Sequence, residues 1–149
     1  IAAGEKHTCG IVRLDDGRNG SVCWGELKKE IQSDEAPVRV ISGANWSCVE
    51  SETGLSCFGP NVHSSEPVPD GIQVGTATMG KDHGCGLNSD GTVQCWGSSD
   101  LGQTNAPEGR FQAVFSGPTS MHTCGLRAAS ERAAPLTCWG LDAENQLEP

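Results

Sequence analysis

Apolar and polar residues alternate, or nearly so, in short runs along the chain. The clearest are "PVRVIS" from Pro37 and "RFQAVFS" from Arg110. A period of two predicts extended strands with one face against a core. After such a run come two more, as in "HTCGI" and "VQCWG", predicted to pair around a turn. Between the members of one pair, "NSDGT" supplies Asp90-Gly91, a hairpin signal because both residues tolerate positive φ. Asp16-Gly17 and Thr53-Gly54 stand in the same place further upstream, while the last stretch carries a longer loop, "RAASERAAP". The segment "ELKKEIQSDEA" (26–36) has enough mixed charge for a turn or two of solvated helix. It aligns with "SSDLGQTNA" (98–106) and is read as a variable loop or outer strand.

These elements repeat. "GEKHTCGI…SVCWG" from Gly4, "GANWSCVE…LSCFG" from Gly43, "GKDHGCGL…VQCWG" from Gly80 and "GPTSMHTCGL…LTCWG" from Gly117 align as four units. The first cysteines (Cys9, Cys48, Cys85, Cys124) and the second (Cys23, Cys57, Cys95, Cys138) mark the register. An aromatic-glycine pair follows each second cysteine: Trp24-Gly25, Phe58-Gly59, Trp96-Gly97 and Trp139-Gly140. A proline then closes each unit at Pro37, Pro69 (or Pro67), Pro107 and Pro149. A unit of about 40 residues with three or four short strands suggests one propeller blade. The predicted fold is all-β: a single repeat domain over 1–149, with blades at about 1–37, 38–69, 70–107 and 108–149.

Composition narrows the function classes. Ten Lys and Arg against 19 Asp and Glu give a net charge of −9, which disfavours nucleic acid and anionic membrane surfaces as partners. No apolar run reaches the roughly 20 residues that span a bilayer, so no membrane insertion is expected. Eight cysteines, an even and dense set, point to disulfides and an oxidising compartment, hence a secreted or extracellular protein. Three Phe and no Tyr leave a thin core that staples would support, and 20 Gly with eight Pro suit many turns. The chain opens on Ile1 without a signal peptide and reads as mature, processed or excised.

The pattern "G-x-x-H-T-C-G-L … D-G-T-V-x-C-W-G … G-Q" resembles the repeats of the regulator of chromosome condensation superfamily. Its cysteine-paired form is similar to repeats of secreted bacterial proteins and crinkly-type receptor kinase ectodomains. The resemblance implies a β-propeller, commonly of seven blades, that binds other proteins. The nucleotide-exchange role of the namesake does not suit a disulfide-rich acidic chain and is not carried over. Four blades are fewer than such rings usually hold. Three readings follow: a fragment of a larger propeller, a homodimer or companion fragment closing the ring, or compact four-bladed closure. An open arc is expected to leave unpaired strand edges.

Each unit offers His and two Cys, so zinc competes with disulfides. No C-x-x-C occurs, and Trp46 replaces the His in the second unit, so no metal site is expected. Pairing across each hairpin is favoured instead: Cys9–Cys23, Cys48–Cys57, Cys85–Cys95 and Cys124–Cys138. His7, His83 and His122 share one repeat position with Trp46, and these four are the candidate binding residues. The histidines are read as partly buried groups bonding a neighbouring loop, with a metal or ligand ring at the propeller axis as the alternative. Trp46 either packs in place or offers a stacking face. The aromatics Trp24, Phe58, Trp96 and Trp139 are expected between blades. His63, off the pattern, is expected to be exposed.

No nucleophile elbow, zinc-protease, Walker or dinucleotide motif is present, and a thiol in a disulfide is no nucleophile. No catalytic residue and no cofactor is therefore expected. Asn19 and Asn45 sit in glycosylation sequons. The expected function is a secreted, non-enzymatic binding module for a protein partner, of inhibitor or receptor-ectodomain type. The alternative is a lectin holding glycans between blades.

Overall fold

The structure is a computed structural model and describes residues 1–31, 36–60, 68–130, 135–145 and 147. Among the described residues, thirteen strands form four antiparallel sheets, and there is no helix. Blade one contains β1 (Ala2–Ala3), β2 (His7–Arg13), β3 (Asn19–Gly25) and β4 (Lys29–Ile31). Blade two contains β5 (Arg39–Ser42), β6 (Ser47–Ser51) and β7 (Gly54–Phe58). Blade three has β8 (Thr78–Met79), β9 (His83–Leu87) and β10 (Val93–Gly97); blade four has β11 (Phe111–Phe115), β12 (His122–Arg127) and β13 (Leu136–Gly140). In every blade the strands lie side by side in chain order.

The turns form where the Asp-Gly signals stand. Asn88 and Thr92 close the β9–β10 turn, and the Asp90 carboxylate accepts bonds from the Thr92 N–H (2.9 Å) and hydroxyl (2.6 Å). Gly91 takes φ 84° there, as Gly17 takes 82° in the β2–β3 turn, a conformation that a Cβ disfavours. The segment 26–36 supplies the outer strand β4, while 32–35 lie outside the described residues, as do part of the fourth-unit loop, His63, Pro67 and Pro149.

Register makes each cysteine pair directly opposed: Cys9↔Cys23, Cys48↔Cys57, Cys85↔Cys95 and Cys124↔Cys138. All four pairs are disulfides, with Cα atoms 4.0–4.1 Å apart. Because side chains alternate between sheet faces, each middle strand sends the repeat residue, the first cysteine and the residue two beyond it to one side. In β9 these are His83, Cys85 and Leu87. We call this the downstream face, since it packs on the next blade. The aromatic after the second cysteine lies on the opposite, upstream face.

Three apolar clusters fill the three internal joints. Phe58 and Val40 of blade two meet the Cys9–Cys23 disulfide of blade one. Trp96, Met79 and Ala77 of blade three meet Trp46 and Cys48 of blade two. Trp139, Phe111 and Val114 of blade four meet Cys85 and Leu87 of blade three. Each joint is thus an aromatic laid on the previous blade's disulfide, which a chain poor in large aromatics repeats instead of building one central core.

Two expectations are corrected. Blades pack face against face, so the outer blades leave sheet faces uncovered, where the sequence reading foresaw unpaired strand edges. Trp24 is not buried between blades as Phe58, Trp96 and Trp139 are; it is 46% exposed. It lies on the upstream face of blade one, which none of the described blades covers.

Candidate functional site

Three of the four candidate binding residues, His7, Trp46 and His83, lie in the joints between blades, while His122 lies on the downstream face of blade four. His7 Nε2 and Ser47 Oγ share a 2.7 Å hydrogen bond from blade one to blade two. His83 Nε2 and Thr123 Oγ1 repeat it at 2.7 Å from blade three to blade four. The hydroxyl always belongs to the residue after the next blade's repeat position. At the middle joint that residue is Gly84, which has no hydroxyl, and there the histidine is replaced by Trp46. Its indole N–H donates to the Lys81 carbonyl at 2.9 Å. Trp46 is 2% exposed, so its ring faces are covered.

Glycine makes room for these rings. A Cβ at Gly4, Gly43 or Gly80 would collide with the ring of His7, Trp46 or His83 three residues on. Burial, which strips His83 of hydration, is the main cause that lowers its pKa to about 4; neighbouring Asp82 opposes the fall and His122 adds to it. His7 is lowered by the same burial. Both rings are therefore neutral at pH 7. All eight cysteines are bonded to sulfur, and no group of three or more His, Cys, Asp or Glu side chains suited to a metal occurs among the described residues.

Two buried polar devices escaped the sequence reading. Glu50 replaces the apolar residue of its repeat position (Leu87 in blade three) and is wholly buried. Its carboxylate accepts from Arg39 Nε at 3.0 Å and from the Gly75 N–H of the next blade at 2.9 Å. Arg39 in turn donates to the Ala77 carbonyl at 2.7 Å. The cross-strand pairing of Arg39 with Glu50 was the available signal, since opposite charges facing across two strands attract. Gln103, the Gln of the "G-Q" motif, is buried; its side-chain Oε1 accepts from the Leu101 N–H at 2.8 Å, and its backbone carbonyl accepts the Trp139 indole N–H at 3.0 Å.

Of the sequons, Asn19 is exposed at the start of β3, while Asn45 is half-buried in a cleft of about 100 Å³ with Lys6, His7, Glu26, Leu27 and Pro60.

What remains open to a partner is loops and two end faces. Upstream, blade one presents Ile1 and Trp24, in the places where Val40 and Phe58 of blade two are buried. Downstream, blade four presents Phe115 (58% exposed), Leu126 and Leu136, where blade two buries Ile41 and Leu55 against its neighbour and blade three buries Leu87. Beside Phe115 the His122 ring makes no side-chain hydrogen bond among the described residues. Sequence alignment of the units places these residues in the same register but cannot tell a covered face from an open one.

Residues 77–103 match the family model described as the regulator of chromosome condensation (RCC1) repeat. That match spans one repeat, and the chain as a whole is an all-β array of four β-propeller blades stapled by disulfides. Its fold is similar to the ectodomain of the Physcomitrella patens receptor kinase CR4 (TM-score 0.72, 24% identity), covering 96% of this chain and 40% of that one. It is also similar to the CRINKLY WD40 ectodomain of the Arabidopsis thaliana receptor kinase ACR4 (0.67, 24%, 93% and 48%). Prp20p of Saccharomyces cerevisiae, studied for binding to Gsp1p and histones, matches at 0.63 with 12% identity, over 91% of this chain and 42% of that one. The chain thus spans less than half the length of each of these three chains.

Proposed function

We propose that this RCC1-like chain is a non-enzymatic protein-binding module that works in an oxidising, extracellular setting. The observation that carries the reading is where its reactive-looking side chains go. His7, His83 and Trp46 are consumed in blade joints and every cysteine is in a disulfide, so no thiol is free as a nucleophile and His122 alone of the repeat-position side chains stands outside a joint bond, with no thiolate to pair with. Recognition then falls to what varies between blades, the loops and the end faces. Four disulfides suit an extracellular location, and receptor ectodomains among the similar folds support a partner that is itself a protein. The covered ring of Trp46 removes the main support for glycan binding.

The test is to screen the non-reduced chain against extracellular proteins and, in parallel, a glycan array. Saturable binding to a protein that survives enzymatic deglycosylation and is lost when the disulfides are reduced is expected. Binding only to glycans, or turnover of a substrate, would overturn the proposal.

A further inference from the structure

We infer that the outer edge of β10 is a docking site for an extended segment of a protein partner. The segment adds to blade three as a fourth strand and carries lysine or arginine around its pairing residues. This rests on the protein-binding reading above and says where on the chain, and for what form of partner, it applies. The edge lies on the outer rim of an internal blade, so it does not depend on what stands beyond blades one and four.

Blade one supplies the template. Its third strand, β3, carries β4 on its outer side, with Ser21 opposite Ile31 and Cys23 opposite Lys29. β10 is the same strand of blade three, since Cys95 pairs with Cys85 as Cys23 pairs with Cys9. The segment aligned with β4, 98–106, does not cover it. That segment turns between Ser99 and Asn105 and carries Gln103 to the joint with blade four, where its backbone carbonyl holds the Trp139 indole. Blade three is left with three strands and β10 at its edge.

The register fixes where the backbone groups point. The Asn88 N–H donates to the Thr92 carbonyl at one end of the β9–β10 pair, and the Ser98 N–H donates to the Asp82 carbonyl at the other. Bonded and non-bonded pairs alternate along an antiparallel ladder. Gln94 and Trp96 therefore turn their backbone groups towards β9, while Val93 and Cys95 turn theirs outward, as Ser21 and Cys23 do towards β4. The outward N–H and C=O groups of Val93 and Cys95 have no backbone partner among the described residues. Such a row is a template for a further strand, and β10 (VQCWG) holds no charge or proline to deter one. Exposed carboxylates flank the edge, Asp90 three residues before Val93 and Asp100 three after Gly97. In a chain of charge −9 they favour a basic segment and disfavour a second copy of this chain.

NMR titration of the non-reduced chain with a capped peptide of the β4 segment, "ELKKEI" (26–31), tests this. Saturable shifts of the Val93 and Cys95 amides are expected. A peptide with Glu26→Gln and Glu30→Gln, which is more basic, should bind more tightly at low salt. By the β4 register, N-methylation of the peptide at Lys29 and Ile31 should abolish the shifts, and N-methylation at Glu30 should leave them. Val93→Pro removes an outward N–H that the β9 ladder does not use. It should weaken binding about tenfold, the effect of one lost hydrogen bond, and a free-thiol count of zero with unmoved β9 amides would verify its fold. No shift at the Val93 and Cys95 amides, shifts that tolerate N-methylation at Lys29 and Ile31, or a chain that pairs with itself through this edge would overturn the inference. A protein partner that binds while the β10 amides stay unmoved would uphold the binding function and overturn this site alone.

Discussion

His83 and Thr123 stand 2.7 Å apart, imidazole to hydroxyl, across the joint between blades three and four. His83 is fully buried and gains this bond only as a neutral ring or as a cation stripped of water, and the neutral form wins.

That choice makes the fold acid-sensitive. His83 has a pKa of about 4 when folded against 6.5 when free, so the unfolded chain binds more protons between those values. Its contribution is fully present above pH 6.5 and is lost as pH falls towards and through 4, on the order of 3 kcal/mol. His7, lowered by burial, acts in the same sense. Urea unfolding at pH 7 and pH 4 should show this loss, and His83→Gln, which keeps an amide near Thr123, should flatten part of it.

Making blade two resemble its siblings should weaken the protein. Trp46→His would remove an indole that fills the middle joint and donates to Lys81, and it would find Gly84 where a hydroxyl is needed. A loss of roughly 2–3 kcal/mol is expected from the cavity and the missing bond. Adding Gly84→Ser should not rescue it, because a Cβ there would stand 2.5 Å from the Trp96 ring. Denaturant midpoints of the single and double variants check both statements.

Glu50 is predicted to be a structural anion. Glu50→Ala strands the Gly75 N–H and releases Arg39, whose side chain is partly exposed and can recover water. The expected cost is about 2 kcal/mol. Glu50→Leu, the residue of the equivalent place in blade three, should recover little of it, because the stranded N–H remains. Equilibrium unfolding with the disulfides intact measures both.

Much of this was legible in the chain. The spacing of cysteines and of Trp-Gly pairs gave the blade count, the hairpins and the disulfide pairing, because a repeat forces each unit into one solution. The places of Trp24 and Phe115 were not legible: both sit in correct register, and only the absence of a neighbouring sheet exposes them. Nor was the pairing of His7 with Ser47, since it links residues 40 positions apart whose partnership depends on which face each strand turns outward. Glu50 escaped because a charge in a strand is ordinarily solvated, and its burial depends on a backbone N–H from another blade.

The account rests on the repeat-position side chains fastening blades together instead of holding a ligand. Titrating the histidine rings by NMR tests this most directly. The account predicts that the His83 ring stays neutral down to about pH 4 and that Thr123→Val, by removing its partner, perturbs its resonances while leaving the ring buried. A His83 ring that titrates near 6.5, or that shifts on adding zinc, would contradict it.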